Sequence, residues 1–147
     1  MKLVKKHWFI LLFFGAVLWS CDNTSDAQKA YEQNFNEVLR VHDEVMPKMG
    51  ELNALSMDLK KKIDADSTST KKYAKANQDL ENAYDFMMEW MHGFTDEYVR
   101  NQPALEELSE EEILTKNQGL EKELEEVRKM KNAVNSSMEH ARDLLSE

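Results

Sequence analysis

The sequence predicts an all-α protein, an elongated antiparallel three-helix bundle of coiled-coil character. Three observations lead there. Helix breakers are scarce, with two prolines and four glycines in 147 residues, and runs of β-branched residues are few. Apolar residues recur in alternating steps of four and three through three long segments, the spacing that keeps one helix face turned toward its neighbours. Short polar stretches with turn and cap residues separate those segments. At a rise of 1.5 Å per residue, helices of this length make a body roughly 45 to 55 Å long.

The first helix is expected over about 27–63. Its seam runs Tyr31, Phe35, Val38, His42, Val45, Met49, Leu52, Ser56, Leu59 and Ile63, with Leu39, Met46 and Leu55 widening the stripe. Pro47 lacks the N–H that would reach the carbonyl of Asp43, so a kink is expected there, and with Gly50 it could divide the segment in two. The stretch "DADSTST" at 64–70 supplies turn and N-cap oxygens. A second helix, about 70–100, repeats the pattern with Tyr73, Ala76, Leu80, Ala83, Met87, Trp90 and Phe94, and Tyr84, Met91 and Tyr98 alongside. Pro103 forbids continuation from the preceding turn. Ser109 with Glu112 three residues on is a capping box, and it opens a third helix over about 109–146. That helix carries Ile113, Leu120, Leu124, Val127, Met130, Val134, Met138, Ala141 and Leu145, with Glu121, Glu125 and Lys129 spaced four apart on its outer side.

The N-terminus reads differently. Lys2, Lys5 and Lys6 precede a charge-free run from Trp8 to Trp19. That run is shorter than the roughly 20 apolar residues of a membrane-spanning helix, and a short apolar run behind a basic start is the pattern of a secretory signal peptide. Leu18-Trp19-Ser20-Cys21 resembles the lipobox of bacterial lipoproteins, although Trp19 is bulkier than the residue usual at its place. The resemblance implies a signal peptide over 1–20 and a diacylglycerol on the thiol of Cys21, which would become the first residue of the mature chain. Residues 21–26 would be the lipidated cysteine and a short polar tether, and 27–147 the helical body. Cys21 is the only cysteine, so no intramolecular disulfide can form, and lipidation gives an odd cysteine in an exported chain a purpose. The expected location is the cell envelope, anchored to an inner or an outer membrane.

The formal net charge is −9; without the three lysines of the leader, 16 basic residues face 28 acidic ones, or −12. Such a field repels nucleic acid phosphates and anionic headgroups. Nucleic acid binding is therefore not expected, and membrane attachment is expected through the diacylglycerol on Cys21.

Chemistry-bearing side chains cluster in one place. An antiparallel hairpin centred near residues 66 and 67 sets residue 42 level with 91, 46 with 87 and 49 with 84. His42, Met46, Met49, Met87, Met91 and Trp90 would then share a layer beside the Pro47 kink. One reading is a soft-metal site, because thioether sulfur and imidazole nitrogen suit Cu(I) and an indole face can cover a cation. The other is core packing, because methionine fills irregular gaps and packs well against aromatic rings. His92 is turned away from the layer by about 140° on a helix and is expected at the surface.

Enzymatic signatures are missing from the sequence. There is no CxxCH motif for c-type haem, no second cysteine for zinc or redox chemistry, and no phosphate-cradling glycine loop. Asp43 and Glu44 are adjacent and splay by about 100°, unlike a catalytic carboxylate pair. The stretch "VHDEVMPKM" at 41–49, followed some forty residues later by "MMEWMHGF" at 87–94, resembles a family of small Bacteroidota lipoproteins often labelled "viral A-type inclusion protein". That resemblance covers the lipobox and the first two helices and implies a lipid-anchored helical bundle without an assigned activity. The expected role is non-catalytic, an envelope interaction or scaffold module with an unidentified protein partner and no cofactor. The alternative is a copper-binding or metal-buffering lipoprotein using His42, Met46, Met49, Met87 and Met91.

Overall fold

A computed structural model describes residues 25–65, 70–100 and 102–147, and all of its regular structure is helical. The proposed leader and Cys21 lie outside the described residues. Helix α1 spans Asp26–Val45, a 3-10 turn follows at Met46–Lys48, and α2 spans Met49–Ala65. Helix α3 spans Thr70–Phe94 and ends in a π-helical turn at Thr95–Val99; a short 3-10 turn at Leu105–Glu107 precedes α4, Glu110–Ser146.

Local chemistry explains the boundaries. The Ser25 hydroxyl accepts from the Gln28 N–H while the Gln28 side chain accepts from the Ser25 N–H, a capping box that starts α1. Ser109 and Glu112 start α4 in the same way, with Glu110 and Glu111 also in the first turn at the positive end of the helix dipole. Pro47 sits at the start of the 3-10 turn between α1 and α2. Its missing N–H and its ring are compatible with that tighter turn, so the α-helix is interrupted without the backbone at Val45, Met46 or Met49 leaving the helical region.

The two halves of this first arm serve different neighbours. Helix α1 packs chiefly on α4 and α2 chiefly on α3, while α3 and α4 also pack on each other. Side-chain contacts give the directions. Asn34 meets Asn117, Glu44 meets Lys131, Lys48 meets Asn135 and Glu51 meets Arg142, so the numbers along α1–α2 and α4 rise together. Between the first arm and α3 they run in opposite senses: Phe35 meets Phe94, His42 meets Trp90 and Ser56 meets Asn77.

One apolar core runs the length of the described body. Val38, Val45, Leu59, Leu80, Met87, Leu120, Val127, Met130 and Val134 have no solvent-exposed surface. Of the seam positions read from the sequence, Tyr31, Val38, Val45, Leu52, Ser56 and Leu59 are buried, whereas Phe35, His42, Met49 and Ile63 are half-buried. Val41, which the strict four-three seam passes over, is fully buried, because α1 presents a wider stripe to α4 than a two-position seam provides. On α4, Leu144 takes the interior place and Leu145 is half-buried.

The amides and hydroxyls at the helix contacts are paired. Asn34 donates to Asn117 Oδ1 at 2.9 Å, joining α1 to α4. Ser56 donates to Asn77 Oδ1 at 2.6 Å, and Asn77 donates to Glu81 at 3.0 Å, joining α2 to α3. Such bonds favour one alignment of the helices, since sliding would strand a buried amide.

Candidate functional site

The layer beside the Pro47 turn is built from α1, α3 and α4. His42, in the last turn of α1, lies half-buried against Trp90 of α3, ring centroids 5.7 Å apart and inclined at 32°. From Trp90 an aromatic ladder continues along the protein: Trp90–Phe94 at 5.1 Å, Phe94–Tyr98 at 5.2 Å, Phe94–Phe35 at 5.6 Å and Phe35–Tyr31 at 6.1 Å. Spacing of four residues stacks Trp90, Phe94 and Tyr98 on one side of α3 and its π-helical end, while Tyr31 and Phe35 do the same on α1.

Two polar groups of α3 and α4 shape the layer. The Trp90 indole N–H donates to Glu123 Oε2 of α4 at 2.9 Å. Burial pushes the Glu123 carboxyl above its ordinary range; the indole bond opposes that shift, and the nearby charges of Glu126 and Glu97 add to it. Tyr98 is pushed up to about 12, first by burial and then by the negative charges of Glu123 and Glu97 and by Tyr31. Burial likewise raises Tyr31.

His42 is asymmetric. Its Nδ1 lies 3.0 Å from Asp43 Oδ1, and Asp43 itself is well exposed. Its Nε2 is buried and has no hydrogen-bond partner among the described residues. With Nδ1–H donating to the Asp43 carboxylate, the Nε2 lone pair points into the protein unused. A carboxylate behind one ring nitrogen is also how metal-ligating histidines are oriented.

The methionines divide. Met87 is fully buried in the core, and Met49 and Met91 are half-buried and packed against it. Met46 stands on the 3-10 turn with 48% of its surface in solvent. His92 is exposed on α3. Sequence reasoning missed Glu123, the polar partner of Trp90, because a glutamate on a charge-rich helix carries no local sign that it turns inward. Its one readable signal is its place beside Leu124 and one helical turn after Leu120, near the edge of the apolar stripe of α4.

Among the described residues no group of three or more His, Cys, Asp or Glu side chains is arranged to hold a metal ion. No described helix is long and apolar enough to cross a membrane. No family model, no curated protein and no solved structure matches this chain.

Proposed function

We propose that this chain is a lipid-anchored helical lipoprotein of a bacterial cell envelope, with a non-catalytic interaction or scaffold role. The observation that carries the reading is the sequence Leu18-Trp19-Ser20-Cys21, with the only cysteine four residues before the first capped helix. A diacylglycerol on Cys21 would supply stable attachment, since each buried methylene contributes about 0.8 kcal/mol and such an anchor has more than one chain. The body is an antiparallel three-helix bundle: the bent arm α1–α2, then α3, then α4. The opposed numbering of first-arm and α3 contacts and the common sense of first-arm and α4 contacts support that arrangement. Its acidic outer faces suit a protein partner with basic surface. The resemblance to small Bacteroidota lipoproteins at 41–49 and 87–94 agrees with this assignment. Mass measurement of membrane-extracted protein tests it: the expected species begins at an acylated Cys21, and an unmodified chain that retains residues 1–20 would refute it.

A second reading, Cu(I) binding by His42 with methionine sulfur, draws support from the unpartnered Nε2 beside Trp90 and the Asp43 carboxylate behind the ring. Anaerobic titration of the folded mature chain with Cu(I) checks it. Tight binding that is lost in Met46→Leu/Met91→Leu supports it. Absence of binding ends it.

A further inference from the structure

The end of the protein where α1 and α4 begin displays apolar side chains that the core covers only in part. Val99 and Leu114 are 54% and 47% exposed. Pro103 is exposed, and Leu105 and Leu108 are half-buried. Pro103, Leu105 and Leu108 line an open pocket of about 270 Å³ together with Tyr31 and Phe35 from the first turns of α1. The Asn34–Asn117 bond ties the same end of α1 to the start of α4. The connection between α3 and α4 therefore lies beside the start of α1, at the opposite end from residues 65 and 70, where α2 stops and α3 begins.

The position of the anchor makes this end special. Ser25 follows Cys21 by four positions, a span of at most about 14 Å of extended chain. An acylated Cys21 would bring this end, and not the other, against the lipid surface. We propose that the α3–α4 connection docks into the interfacial zone of the bilayer, with Val99, Leu105 and Leu114 as the contacting side chains, so that the body stands on its end. This rests on the lipid-anchored reading given above. A patch this small would not hold a free protein on a membrane, but a short tether makes the second contact intramolecular and raises its effective concentration.

The charges around the patch specify the lipid. Glu106, Glu107, Glu110 and Glu111 are exposed along this connection and the first turn of α4. They outnumber the neighbouring cations, Arg100, which pairs with Asp96, and Lys116, and they repel anionic headgroups within a Debye length. The fitting surface is zwitterionic.

The test uses the mature chain from Cys21, coupled through its sole thiol to a maleimide lipid in phosphatidylcholine–phosphatidylethanolamine vesicles with brominated acyl chains. Tryptophan is introduced as Val99→Trp, Leu114→Trp or, on α2 far from the anchor, Met57→Trp. All three positions are exposed, so the fold tolerates the change, and the quenching of Trp90 in the unsubstituted chain is subtracted. Expected is several-fold stronger quenching at 99 and 114 than at 57, and a loss of that quenching when anionic phosphatidylglycerol is added. Equal quenching at the three positions, none at 99 and 114, or stronger quenching on anionic vesicles would overturn the proposal. Because the anchor is installed chemically, the outcome is independent of whether cells acylate Cys21, which the mass measurement reads separately.

Discussion

At the scale of single residues, the least replaceable small side chain is Gly119. A Cβ built there overlaps the hydroxyl oxygen of Tyr98, whose ring is buried and stacked on Phe94. The ring end cannot swing aside, so overpacking outweighs the gain in helix propensity. Gly119→Ala is expected to cost about 1 to 3 kcal/mol in chemical denaturation. Adding Tyr98→Phe should restore most of it by removing the colliding oxygen. At Gly93 the space is open, with nothing within 4 Å of where a Cβ would sit, and Gly93→Ala should stabilise by roughly 0.5 to 1 kcal/mol. Glu123 makes a prediction in pH. Its carboxyl is raised above its unfolded value, so its ionised form is disfavoured in the folded protein. Stability from this group is fully present below the unfolded pKa and is lost as pH rises through the folded one. Glu123→Gln keeps an oxygen for the Trp90 N–H and removes the charge. Denaturation at pH 7 should find that variant more stable, by under about 1 kcal/mol because the site is partly solvated, and the gap should close as the pH is lowered.

At the scale of elements, much is readable because amphipathic spacing is a local property. The all-α class, the Ser109–Glu112 box and the burial of Tyr73, Ala76, Leu80, Ala83, Met87, Trp90 and Phe94 all follow from residues within a turn or two of one another. Ser109→Ala, which removes that cap, should cost about 1 kcal/mol in thermal or chemical denaturation. Which helix faces which is harder to read, since it depends on groups far apart in sequence. The hairpin register predicts that His42 and Trp90 share a layer, and the rings do meet. It cannot show that α1 packs chiefly on α4 or that Met46, on the 3-10 turn, stands half in solvent. Nor can it find Asn34–Asn117, or Glu123 beneath Trp90, because asparagine and glutamate on a polar helix look alike whether they face inward or outward.

At the scale of the whole molecule, the core carries the stability and the charged rim contributes little. Glu51–Arg142, Glu37–Arg128 and Glu44–Lys131 join the first arm to α4, but their side chains are from about a third to more than half exposed. Arg142→Ala should therefore change stability by less than about 1 kcal/mol and respond to salt. Leu120→Ala, at a position with no solvent exposure, should cost about 2 to 5 kcal/mol. Equilibrium denaturation of the two variants side by side checks the contrast.

The contacts between the first arm and α4 have a temporal consequence. The residues that cover α1 are made in the final helix: Asn34 waits for Asn117, and Glu44 for Lys131, 87 positions later. Until the final helix has been synthesised, the opening helix can be only half covered, and its closure carries the entropic burden of a long loop. Newly made chains should accordingly depend on a holding chaperone until α4 has been made as far as Lys131. A polypeptide that ends before Leu120 should stay protease-sensitive through α1 even while α2 and α3 are already clasped.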